Sequence, residues 1–203
     1  MYSFTEKEKK LFRKLGTPAK VQDFLNALQF NFEKGGETVK SPIRTIREKN
    51  AHCLEGALLG AHILSLHGFP PLILHLKTSP NDFDHVIAPF KIRGLWGALS
   101  KTNHAVLRYR EPVYRNIREL VMSYFHEYFT DDGKKNLQQY SRPLNLKTFD
   151  RSWITAERDL WDMDKALDKI KHYDIAPKSA LSRMRKADKI EIKAGKTQEY
   201  RFG

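Results

Sequence analysis

Cysteine is almost missing from this chain: there is one, Cys53, among 203 residues. A lone thiol forms no intrachain disulfide and no metal site built from cysteines alone, in keeping with a reducing compartment. Long apolar runs are missing too. No stretch approaches the roughly 18 uninterrupted apolar residues of a membrane span, and the opening MYSFTEKEKK carries charge where a signal peptide needs an apolar segment. A cytoplasmic chain without membrane association is expected. There is no glycine-rich phosphate loop either, since EKGGET lacks the Lys-Ser/Thr ending and the strand-to-helix setting, so nucleotide hydrolysis has no support. No pair of histidines has the helical spacing and intervening glutamate of a zinc protease helix; His62 and His67 are five apart and diverge. Neither a metal nor any other cofactor is expected.

What is present is an ordinary globular composition, 40% hydrophobic and 30% charged, in a chain long enough for one full core with additions. The net charge of +12 is unevenly placed. Residues 165 to 203 carry eleven Lys and Arg against five Asp and Glu, half of the excess. This separates residues 1–130, read as the main α+β domain with N-terminal helices, from 131–203, read as a connector and a basic helical extension. Such an extension serves as a solubilising terminus or as a contact for an acidic protein or nucleic acid.

Periodicity predicts helices at 5–15 and 18–33, the second opened by Thr17 and Pro18 and carrying the stripe Val21, Phe24, Leu25, Leu28 and Phe32. A short helical segment follows at 41–50. From Cys53 to about His67 a face of Leu54, Ala57, Leu58, Ala61 and Leu64 predicts a closely packed helix stopped by Gly68. Strands are expected at 70–78, 84–92, 95–100 and 104–110, joined by turns too short for crossovers, hence antiparallel. A helix from Pro112 to Phe129, a polar connector over 130–150, helices at 155–172 and 179–187, and a hairpin around IKAGK complete the expectation.

A thiol ionises near neutral pH at a helix N-terminus or beside an imidazolium. Cys53 has the first, and His85, at the start of an apolar strand, is the best-placed second partner among eight histidines. The N–H groups of that helix end, including that of Cys53, also offer an oxyanion hole.

The order CLEGALLGAHILSLHGFPPLIL, DHVIAPF and RGLWGALSKT, over residues 41 to 110, resembles the transglutaminase-like superfamily of the papain-like cysteine fold. The resemblance implies a papain-like core whose cysteine-bearing helix packs on an antiparallel sheet. It also implies Cys53 as nucleophile towards an amide carbonyl and His85 as its base. The family's usual aspartate at the end of the tryptophan strand is replaced here by Ser100-Lys101-Thr102. Ser100 or Asn103 is the candidate to orient His85; Asp82 and Asp84 lie near it in sequence but off the family position.

Trp96, Arg108 and Arg110 are candidate substrate-binding residues, the arginines because guanidinium groups hold oxyanions of an acidic substrate bidentately. An alternative for the arginines is a solvated face paired with Glu111 and Glu119. The expected function is thiol-dependent hydrolysis or acyl transfer at an amide or peptide bond, as peptidase, amidase or transglutaminase. The alternative is an inactive scaffold that binds a partner through its basic C-terminal region.

Overall fold

The structure, a computed structural model, describes residues 3–80 and 82–201. Helix α1 (Glu6–Lys14) is fixed by a capping box in which Thr5 and Glu8 satisfy each other's backbone N–H groups. Thr17 caps α2 (Pro18–Ala27), with Pro18 in the first turn as the sequence predicts. This helix stops six residues short of the expected end. The N–H groups of Gln29 and Asn31 bond to the carbonyls of Lys49 and Ala51, so β1 (Gln29–Phe30) pairs in parallel with β2 (Asn50–Ala51) across the short α3 (Pro42–Glu48). A tertiary partner wins over helical periodicity there.

Helix α4 (Cys53–Ser65) is followed by Gly68 in the left-handed region at φ 87°. The main antiparallel sheet comes next: β3 (Leu72–Thr78), β4 (His85–Ile92), β5 (Leu95–Ser100) and β6 (Arg110–Tyr114). The strand expected at 104–110 is instead a loop, and β6 begins where it was to end. Pro112 lies in β6, which it enters because β6 is an edge of the sheet. The helix expected from Pro112 therefore starts later, as α5 (Ile117–Phe125), capped by Asn116, and Val113 is 62% exposed on the strand rather than in a core stripe.

The polar stretch 130–150 is not a connector. It contains β7 (Leu137–Ser141), which pairs with β3 in the middle of the sheet, and β8 (Leu144–Asn145), which pairs with the start of β3. After α6 (Trp161–Lys169), strand β9 (His172–Asp174) pairs with β7. The sheet order is β6-β5-β4-β3-β7-β9, so a boundary near residue 130 runs through one sheet. The final elements are α7 (Lys178–Leu181) and α8 (Lys189–Gly195); the latter replaces the expected hairpin, with Asp188 and Glu191 forming its capping box.

Alternation along the strands gives each face a core. Ile73, Val86, Ala88, Phe90 and Leu99 pack with α4 and the N-terminal helices. Leu74, Leu76, Ile87 and Ala98 pack with Leu120, Val121 and Tyr124 of α5. Each of the larger side chains among them, the alanines aside, contributes roughly 1.5–3 kcal/mol when fully buried. Two glycines bring α4 onto the sheet: a Cβ at Gly56 would stand 2.4 Å from Cβ of Lys101, and one at Gly60 2.8 Å from Leu99. No helix among the described residues is long and apolar enough to cross a membrane.

Candidate active site

Cys53 is the first residue of α4 and is partly exposed. His52, immediately before it, is the N-cap, and Glu55 completes a capping box. The imidazole of His52 has a neighbour at each nitrogen: Nε2 lies 2.8 Å from the Thr38 carbonyl, and Nδ1 lies 3.3 Å from the Leu54 nitrogen, whose N–H it accepts only in the neutral ring. Burial raises the Cys53 thiol, but hydrogen bonding to His52 and His85, with their charge, outweighs it and holds the thiol well below its ordinary range. Burial acts to lower His52, and the neighbouring Cys53 and Glu55 override it, raising the imidazole to about 9. The thiol thus has two imidazoles acting on it, one of them its sequence neighbour.

Glu55 is completely buried. Its carboxylate accepts from Thr38 Oγ1 at 2.9 Å, Lys40 N at 3.0 Å, His52 N at 3.0 Å and Asn31 Nδ2 at 3.1 Å, and Lys40 Nζ lies 3.8 Å away. A buried carboxylate is tolerated only when donors surround it. All of these donors except the His52 N–H come from the 31–40 segment, so Glu55 holds that segment against the start of α4.

His85, the first residue of β4, is 6% exposed. Its Nε2 lies 2.8 Å from Oγ of Ser100 at the end of β5, and that hydroxyl donates its own proton to the Leu107 carbonyl at 2.5 Å. Ser100 therefore accepts from Nε2–H, which leaves Nδ1 as the nitrogen for the Cys53 thiol. Leu107 has φ 60°, an unfavourable region for leucine, and its N–H is fixed by Glu127 Oε2 at 2.8 Å. The conformation that turns its carbonyl towards Ser100 is stabilised from the other side by this carboxylate.

Gln22, 5% exposed on α2, holds Ser100 from behind. Its carboxamide donates to the Ser100 carbonyl at 2.8 Å and accepts the Ser100 N–H at 2.9 Å, as an adjoining strand would. Tyr128 bounds the site from β7's side of the fold: its hydroxyl donates to the Phe83 carbonyl, and burial, then the charges of Cys53, Asp82 and Asp84, raise the phenol well above its ordinary range.

The other sequence candidates lie elsewhere. Asn103 does not orient His85; both ends of its amide hold the backbone of Tyr200, at 2.8 and 2.9 Å. Asp84 faces away, with Oδ2 2.9 Å from His75 Nε2 and Oδ1 accepting the Thr78 N–H, while Asp82 accepts from Asn136. Arg108 pairs with Glu199 at 3.1 Å, and Arg110 pairs with Glu127 at 2.6 Å and stacks on Tyr124, so neither is a free anion clamp and neither pairs with Glu111 or Glu119. Trp96 is four residues along β5 from Ser100, about 13 Å at the ordinary strand rise, with Lys91 over its ring. It does not line the thiol.

His52, Glu55 and Gln22 were not singled out from sequence. For the first two a signal exists, because HCLE has the N-cap-x-x-Glu spacing of a capping box with histidine in the usual Ser/Thr place. For Gln22 there is none, since its partner is 78 residues away. Among the described residues no three metal-ligating side chains converge on one point. No protein-family model matches the chain, and no curated protein matches it at a significant level.

Proposed function

We propose that the α4–sheet unit is a papain-like core and that the protein performs thiol-dependent acyl chemistry on an amide or peptide bond, with Cys53 as nucleophile and His85 as proton carrier. The observation that carries this reading is a partly exposed thiol at a helix start, held well below its ordinary range by two neighbouring imidazoles, one of which is oriented by a buried hydroxyl.

In this reading the thiolate attacks the carbonyl carbon, and the C=O electron pair moves to oxygen beside the N–H of Cys53, a first-turn group without an intrahelical acceptor. Collapse breaks the C–N bond. The leaving amine takes the proton from Nδ1 of the His85 imidazolium, and a thioester forms on Cys53. His85 then removes a proton from water or from an acceptor amine as it attacks the thioester carbon; the C–S bond breaks with its electron pair going to sulfur, which releases the carboxylic acid or new amide and regenerates the thiolate beside the His85 imidazolium. Ser100 holds the ring but supplies no negative charge to the imidazolium, so the charge of His52 takes a larger part in keeping the thiol ionised.

The test is the pH dependence of alkylation by iodoacetamide, in wild type and His85→Ala. An apparent pKa well below the unperturbed thiol value of about 8.5, moving upward on loss of His85, is expected. Labelling with an unshifted profile, or only on unfolding, would overturn the reading. Hydrolysis of an amide panel that is abolished in Cys53→Ser extends the test to the reaction itself.

A further inference from the structure

The C-terminal part of α4 carries a second polar feature unconnected with the thiol. His62 lies nine residues beyond Cys53, roughly 14 Å along the helix at the ordinary rise, and is 4% exposed. Neither ring nitrogen has a hydrogen-bond partner. Its surroundings are aromatic: Phe4 stacks on it at 5.5 Å, and Phe12 and Trp153 meet it edge-on at 5.7 and 6.2 Å. A buried imidazole normally finds at least one partner, because both nitrogens are strongly polar.

His62 lines a cavity of about 560 Å³, within the size range of small-molecule sites. Phe4, Phe12, Leu66 and Ile154 form apolar wall, and Arg13 and Arg151 also line it. Lys9, on the same wall, is neutralised by Glu6 at 2.8 Å. Among the described residues Arg13 and Arg151 enter no ion pair or side-chain hydrogen bond. The cavity thus combines an aromatic and aliphatic lining with two guanidinium groups outside any close ion pair, beside a buried imidazole that lacks a partner. An apolar ligand makes no use of the two guanidinium groups at the cavity, and a small hydrophilic anion leaves the aromatic wall uncovered.

We propose that this cavity binds an amphipathic carboxylate, an acyl or aryl body with one anionic head. The body lies against Phe4, Phe12, Leu66, Ile154 and the ring of His62, and the head is held by Arg13 and Arg151. The site is separate from Cys53 and stands whether or not that thiol is reactive.

Calorimetric titration of the full chain with decanoate, and with 1-decanol as the uncharged counterpart, tests this. One-to-one saturable binding of decanoate is expected, at least tenfold weaker for decanol and at least tenfold weaker in an Arg13→Gln/Arg151→Gln double variant. Both substitutions lie on exposed positions of short helical elements, and an unchanged thermal midpoint without ligand shows that the variant is folded. Nitrogen-15 spectra of the histidine rings give an independent readout: the His62 nitrogens shift as decanoate is added. Absence of saturable binding, equal binding of decanol, indifference to the double variant, or a decanoate response that leaves His62 unmoved would each overturn the proposal.

Discussion

Nε2 of His85 lies 2.8 Å from Oγ of Ser100, and Ser100 can only accept there because its own proton is given to the Leu107 carbonyl. One hydrogen bond thus fixes the ring's tautomer as well as its orientation, through a neutral group. Ser100→Ala removes the acceptor and leaves a buried N–H unpaired. A loss of about 1–2 kcal/mol in that orientation corresponds to roughly a tenfold fall in the Cys53 alkylation rate near pH 7. Ser100→Asp adds charge but faces the Leu107 carbonyl without a proton to donate; the upper limb of the pH–rate profile is expected to move to higher pH while the folded state loses stability. Stopped-flow alkylation beside urea denaturation separates the two effects.

His52 caps the helix and is a counter-ion to the thiolate. Its folded value, about 9, lies above the unfolded value of 6.5, so its stabilising contribution is complete below pH 6.5 and is lost as pH rises through about 9. His52→Asn retains an N-cap side chain without the charge. The stability difference between wild type and His52→Asn, measured by urea unfolding, is therefore expected to shrink between pH 6.5 and 9, and the alkylation profile of Cys53 to move upward in the variant. A difference constant with pH would leave His52 a cap alone.

Gly56 sets the distance between α4 and the strand end that carries Ser100. A Cβ there would overlap Lys101 Cβ at 2.4 Å, and Lys101 is itself buried, with Nζ bonded to the Leu28 carbonyl. Gly56→Ala is expected to cost about 1–3 kcal/mol, as overpacking does, despite the better helix propensity of alanine. Alkylation should also slow, because the helix start moves relative to His85. Thermal unfolding and the labelling rate check both.

His62 is kept neutral in the folded protein: burial first, then the charge of Arg151, lower it to about 4 against 6.5 unfolded. The unfolded chain binds the proton first as pH falls, so stability is complete above pH 6.5 and declines towards pH 4, by about 3 kcal/mol for a shift of this size. His62→Phe keeps an aromatic ring among Phe4, Phe12 and Trp153 and removes the titration. The stability of wild type relative to His62→Phe is expected to fall by that amount between pH 7 and pH 4, read from urea midpoints.

Sequence alone determined the parts that depend on near neighbours along the chain. Thr17-Pro18 starts α2, Gly68 ends the helix that Cys53 begins, and the apolar runs of β3, β4 and β5, joined by short turns, give antiparallel strands, because caps, positive φ and turn length act within a few positions. It also placed a lone cysteine at a helix start upstream of a strand-opening histidine. Tertiary structure alone decided which polar group meets which. Ser100 rather than Asn103 reaches His85 because Gln22 and Leu107 hold the end of β5, and Tyr200 occupies Asn103. Phe32 leaves the helix because β2 offers backbone partners to the residues before it. The 137–141 stretch became an interior strand because β3 presented an unpaired edge, and Glu55 could be buried as a carboxylate only once four donors from the 31–52 segment surrounded it. Hydrogen-bond and charge satisfaction between distant segments depends on where those segments come to rest, which local residue patterns do not encode.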